Sequence, residues 1–108
     1  MTDQVKPAIP YALFDNNSVA APVNSNSVTL PRSVLVMNWV YRFASAPSSA
    51  SIRLQASMDG TYWFDIDEGT DVNGEARELS NPIIYPYLRS QKTSQSGGGA
   101  LTVEVIVL

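Results

Sequence analysis

The stretch Ser51-Ile-Arg-Leu-Gln-Ala-Ser-Met-Asp-Gly-Thr-Tyr-Trp-Phe-Asp-Ile66 constrains this chain more than any other. Ile52, Leu54 and Ala56 alternate with Arg53, Gln55 and Ser57, which is the period of a strand with one buried face. Met58-Asp59-Gly60-Thr61 then offers a tight reversal. Asp-Gly suits a two-residue type I′ turn, whose central residues both need φ > 0. Tyr62, Phe64 and Ile66 alternate with Trp63 and Asp65 on the way back. The pattern predicts a β-hairpin centred on Asp59-Gly60.

The flanks read as strands too. Val34–Phe43 is rich in β-branched and aromatic residues, so strand outranks helix. Leu35, Met37, Trp39, Tyr41 and Phe43 share one face; Val34, Val36, Asn38, Val40 and Arg42 share the other. Apolar groups on both faces predict a central strand covered on each side, or covered by a partner on one. Ala44–Ala50 reads as a loop, Glu75–Leu79 as a short polar strand broken by Asn81-Pro82, and Ile83–Gln91 as a strand interrupted at Pro86. Lys92–Gly99 reads as a polar loop. Leu101, Val103, Val105 and Val107 alternate with Thr102, Glu104 and Ile106, a half-buried closing strand.

Residues 1–33 differ from the rest. Pro7, Pro10, Pro22 and Pro31 punctuate a run of Asn, Ser, Ala and Val, which forbids a helix and breaks long strands. Short strands fit at Tyr11–Phe14, Ser18–Ala21 and Ser27–Leu30. The expected organisation is an N-terminal arm with edge strands over 1–33 and a β-sandwich over 34–108. The arm either supplies sheet edges or lies along a neighbouring subunit, with Tyr11, Leu13 and Phe14 as its anchors. Seven or so short strands and no helical period predict an all-β, antiparallel two-sheet sandwich with jelly-roll or Greek-key connections.

Composition narrows the function. With 108 residues the chain holds one core. Cysteine and histidine are both absent, which removes disulfides, thiol nucleophiles, the usual zinc sites and every Ser-His-Asp arrangement. The net charge of −3 argues against a bulk electrostatic grip on nucleic acid or on an anionic membrane. No basic-then-apolar leader opens the sequence and no run is long enough to span a bilayer, so synthesis in a cytoplasm is expected.

The remaining site chemistries each have a plainer explanation. Asp65-Ile-Asp-Glu-Gly-Thr-Asp71 lacks the spacing of a calcium loop and reads as a solvated acidic turn. The carboxylates of one hairpin do not face each other as a glycosidase pair must, so no enzyme is expected. Trp39, Tyr41, Tyr62, Trp63, Phe64, Tyr85 and Tyr87 either fill a core or an interface, or line a sugar-stacking row. Gly97–Gly99 precedes a strand rather than a helix, so a phosphate loop is not supported and no cofactor is expected.

Ser57-Met-Asp-Gly-Thr-Tyr-Trp63 resembles the Ser-x-Asp-Gly-x-x-Trp hairpin of sialidase-type Asp-boxes, which are structural turns. The resemblance implies that Asp59 caps the turn, Gly60 permits it and Trp63 packs beneath it. A second likeness covers roughly residues 34–108. A strand before that hairpin, then Tyr85-Pro-Tyr-Leu-Arg89, a Gly-rich loop and a Leu-Thr-Val-Glu-Val strand, looks like small β-sandwich virion proteins of tailed bacteriophages. It implies a capsid decoration (cement or staple) subunit that bridges the major capsid protein or other virion subunits. Such a protein is a homo-oligomer located in the virion and made in the host cytoplasm. The alternative is a carbohydrate-binding or tail and baseplate adhesion module.

Overall fold

A computed structural model describes residues 9–31, 34, 36–80 and 85–107. Its strands are β1 (Ile9–Asn17), β2 (Val23–Asn24), β3 (Val28–Thr29), β4 (Met37–Phe43), β5 (Ser49–Ser57), β6 (Phe64–Gly69), β7 (Glu75–Leu79), β8 (Tyr87–Ser96) and β9 (Leu101–Val107). One sheet has the order β1-β9-β4-β7; the other runs β2-β8-β5-β6, with β3 also on β8. All pairings are antiparallel. Except for the β5–β6 hairpin and the β2–β3 step along β8, successive strands alternate between sheets. Two interleaved four-strand orders of this kind make a jelly roll, with β2 and β3 as two halves of one edge strand. The expected antiparallel sandwich is what the chain forms.

The inward positions follow the two-residue period. Met37, Trp39 and Tyr41 of β4 and Leu101, Val103, Val105 and Val107 of β9 meet Ile52, Leu54 and Ala56 of β5 and Leu88 of β8. Trp39 is wholly buried and Tyr41 almost so. Gly69 makes room for the latter, since a Cβ there would overlap the Tyr41 ring. Leu13 and Phe14 belong to the same core, at 2% and 3% exposure. They lie at an irregularity in the β1–β9 register between Ala12 and Phe14. A bulge of this kind sets two residues against one, so both neighbours turn inward.

Several sequence expectations are corrected. Leu13 and Phe14 are anchors of their own sandwich and cannot at the same time anchor a neighbour; Tyr11 is half-buried against the same core. Ser18–Ala21 is a connection, not a strand. Lys92–Ser96, read as loop, continues β8 because it pairs with the first half of β5. Of the strand candidate Ile83–Gln91, Tyr85 and Pro86 are not strand and Tyr87–Gln91 are, Pro86 having no N–H to give a ladder. Residues 1–8, Leu35, the Asn81-Pro82 break and Ile83–Ile84 lie outside the described residues.

Candidate interaction surface

The β5–β6 reversal is a loop rather than a two-residue turn. Ala56 pairs with Phe64, leaving Ser57–Trp63 to make the connection. Gly60 has φ of 79°, but among the described non-glycine residues only Asn16 has a positive φ, so Asp59 does not and the turn is not type I′. Side chains do the work instead. The wholly buried Ser57 hydroxyl accepts from the N–H groups of Asp59 and Gly60 at 3.3 and 2.8 Å. Asp59 Oδ1 accepts from Thr61 N–H at 2.8 Å and Tyr62 N–H at 3.0 Å. Those two backbone donors hold the Asp59 carboxyl below its ordinary range.

With its backbone so fixed, the loop holds apolar side chains out in water. Met58 is 72% and Tyr62 81% exposed, and Phe64 at the start of β6 is 39% exposed. Phe64 meets Tyr85 edge to face, ring centroids 4.7 Å apart. Trp63, half-buried, lies under the Arg89 guanidinium at 4.4 Å. This end of the jelly roll is therefore aromatic, and its rings are braced from below.

Behind it, the outer face of the five-stranded sheet carries a continuous polar ladder. Arg89 Nε donates to Gln55 Oε1 at 2.8 Å, and Gln55 Nε2 donates to Asp65 Oδ1 at 2.8 Å. Gln91 Nε2 extends the ladder to Asn24 Oδ1 at 3.0 Å. Arg53 pairs with Asp65 and Glu68 at 3.3 and 3.4 Å. Asp65–Gly69 is thus strand and not an acidic turn, because each carboxylate answers a guanidinium. Asp67 points the other way, since a β6 irregularity between its pairing with Leu54 and that of Asp65 with Gln55 flips the alternation.

Of the sequence-predicted rings, Trp63, Tyr85 and Tyr87 share this end with Tyr62, while Trp39 and Tyr41 are sealed in the core. Phe64 and Tyr85 stand at 78° to each other rather than coplanar. Arg89, Gln55 and Met58 escaped the sequence reading. Arg53 and Gln55 alternate outward in β5 as Arg89 and Gln91 do in β8, but only the register places them side by side.

The opposite end is a cleft of about 370 Å³ between 18–21 and 97–100. Lys92 reaches it from β8 at 2% exposure and donates to Val19 O at 2.8 Å, Asn17 Oδ1 at 3.2 Å and Asn17 O at 3.4 Å. Burial lowers the lysine's pKa, and no carboxylate pairs with it among the described residues. Every close partner of this ammonium is an amide oxygen, so the group ties the β1–β2 connection to β8.

No protein-family model matches the chain, and no curated protein does. Among solved structures, the crystal structure of the SPBc2 prophage-derived protein YomS is similar, with a TM-score of 0.72 over 99% of this chain and 97% of that one. Sequence identity is 12%. At that distance the likeness shows a shared fold.

Proposed function

We propose that this chain is a structural subunit of a bacteriophage virion, and specifically a capsid decoration subunit that bridges neighbours in the shell. It works by contact and not by catalysis. The observation that carries this reading is the division of the aromatic residues. Trp39, Tyr41 and Phe14 are spent on the core, while Met58, Tyr62 and Phe64 stay exposed at one end of a rigid jelly roll. Exposed apolar groups gathered in one place mark a surface that a partner covers. A fold shared with a prophage-derived protein and an architecture common among viral capsid domains agree with it. Binding only the assembled shell, such a subunit stabilises it by mass action.

The test is co-sedimentation with purified phage shells, comparing wild type with Met58→Ser/Tyr62→Ser. Wild type is expected to pellet with shells and the double variant to remain in solution. A wild-type chain that stays soluble beside shells of its own phage overturns the capsid role. A second reading, carbohydrate adhesion, is favoured by the half-buried Trp63 under Arg89 beside the exposed Tyr62 ring. Binding on a glycan array that is lost in Trp63→Ala would replace the first reading with this one.

A further inference from the structure

Of Arg42, Arg53, Arg77 and Arg89, the last stands apart. Arg42 pairs with Glu104, Arg53 with Asp65 and Glu68, and Arg77 with Asp67 and Glu75. No carboxylate among the described residues answers Arg89. It is nonetheless firmly held. Its Nε donates to Gln55 Oε1 at 2.8 Å, and the guanidinium carbon lies 4.4 Å from the centre of the Trp63 ring. Neither Nη donates to a described residue, and neither is sealed from solvent. Burial pushes the arginine's pKa down with no neighbouring carboxylate to offset it, yet a guanidinium stays protonated.

Gln55 explains why the chain's own acids do not reach it. The register sets Arg89 of β8, Gln55 of β5 and Asp65 of β6 side by side, with the amide between the two charges. Gln55 gives Oε1 to the arginine and Nε2 to Asp65, while Arg53 engages Asp65 and Glu68. Braced by a ring face and an amide, the Arg89 guanidinium has already lost its rotamer freedom, so its open edge is preorganised for a planar anion. Alternation along β8 keeps Tyr87 on the same outer face, one step nearer the Ser57–Trp63 loop. On that loop Met58 and Tyr62 stand in water.

We infer that the open Nη edge of Arg89 receives an aspartate or glutamate side chain from the protein that covers the aromatic end. The inference rests on the reading of that end as a shell contact, and it names what the shell subunit presents there: a carboxylate flanked by apolar groups. Two Nη donors side by side match the two oxygens of a carboxylate. The flanking apolar groups lie on Met58 and Tyr62 and exclude water from the ion pair. In the free chain the half-buried charge has only water to answer it. A bound carboxylate replaces that water in surroundings where the attraction is stronger. Arg89 thereby sets which surface is accepted, since a basic or neutral one leaves its charge covered and unpaired.

Co-sedimentation with purified shells, using Arg89 variants whose circular dichroism matches wild type, tests this. Arg89→Gln and Arg89→Glu are expected to bind at least about tenfold more weakly, the worth of a lost hydrogen bond to a charged group. Arg89→Lys, which keeps the charge without the fork, should fall between them and wild type. The same variant carries an amine where the fork was. Treated with a carbodiimide on the shells, that amine should condense with a shell carboxyl, with loss of water. Mass spectrometry should then find position 89 joined by an amide to an aspartate or glutamate of the shell subunit. Shells that pellet wild type and Arg89→Gln alike overturn the inference while the shell contact stands. A wild type that stays in solution beside the shells overturns both. Coupling only to carboxyls of the same chain overturns the inference alone. Binding to acidic glycans that is lost in Arg89→Gln does so too, by assigning the fork to a sugar carboxylate.

Discussion

The Trp39 indole N–H donates to Asp67 Oδ2 at 2.8 Å, joining β4 of one sheet to β6 of the other along the flank of the sandwich. Arg77 of β7 grips the same carboxylate through Nε at 2.8 Å and Nη2 at 3.1 Å, and reaches Glu75 at 3.2 Å. Tyr41 continues the chain of contacts, its hydroxyl donating to Glu75 at 2.9 Å and to Asp71 O at 3.1 Å. Burial works to raise the Asp67 pKa, and the bonds from Arg77 and Trp39 outweigh it, so the net direction is downward. The carboxylate's contribution to stability is therefore complete above the ordinary Asp range near ~3.9 and is lost as pH falls through the depressed folded value. Asp67→Ala should cost about 2–4 kcal/mol in urea unfolding, because it strands the Trp39 donor and an arginine together. Asp67→Asn should cost less at neutral pH and flatten the acid limb of the stability profile. A variant as stable as wild type at pH 7 would show that the flank contributes nothing.

Lys92 makes a pH dependence of the same sign in a different window. Burial lowers its folded pKa while the unfolded chain keeps the ordinary lysine value near ~10.4. Between those two values the unfolded state binds more protons, so stability rises with pH in that window and the burial cost is present in full below it. Melting temperature is expected to climb within that window in wild type, relative to Lys92→Met, which has no such group. Parallel profiles for the two proteins would sink the prediction.

The Ser57–Trp63 loop depends on two different devices. Gly60→Val places a β-branched side chain at φ 79° and should cost about 1–2 kcal/mol, although its Cβ would find ordinary room beside Tyr87. Ser57→Ala removes an acceptor from two backbone N–H groups and should cost about 1–2 kcal/mol. Denaturation midpoints measure both. An unchanged midpoint in Ser57→Ala would mean that the loop holds its shape through Asp59 alone.

Strand existence was legible where the two-residue period was strong. Leu101–Val107, Ser51–Ala56 and Met37–Tyr41 read correctly because burial on one face imposes that alternation. Lys92–Ser96 did not, since its pattern is polar and only pairing with β5 makes it strand. The turn type at Asp59-Gly60 was misread because dipeptide preference cannot see a serine hydroxyl two residues upstream taking the backbone donors. Asp65 and Glu68 are exposed, as the sequence implied, but their pairing with Arg53 was not legible, since that arginine lies on the neighbouring strand and meets them only once register is set. The aromatic end was half legible. Tyr62, Trp63, Tyr85 and Tyr87 stood out as residues, but nothing in their spacing separated them from Trp39 and Tyr41, which the core absorbs.

The first strand decides between the two expectations for residues 1–33. An arm that docks on a neighbour can be cut away without harm to the fold, whereas one that supplies a sheet edge cannot. In the structure β1 pairs with β9 from Ile9↔Val107 to Asn17↔Leu101. Leu13 and Phe14 sit in the core against the buried valines of β9. Phe14→Ala should therefore cost about 3–5 kcal/mol, since it removes a large ring from a site that cannot collapse around the gap. Deleting residues 1–17 should do more: it strips the β9 edge of its partner, exposes Val103 and Val105, and releases the Asn17 oxygens from Lys92. Thermal melting by circular dichroism distinguishes the outcomes. Loss of a cooperative transition is expected for the truncation, and a broadened, lower transition for Phe14→Ala. A truncated chain that still melts cooperatively near the wild-type temperature would restore the detachable arm, and would mean that β9 can serve as a sheet edge by itself.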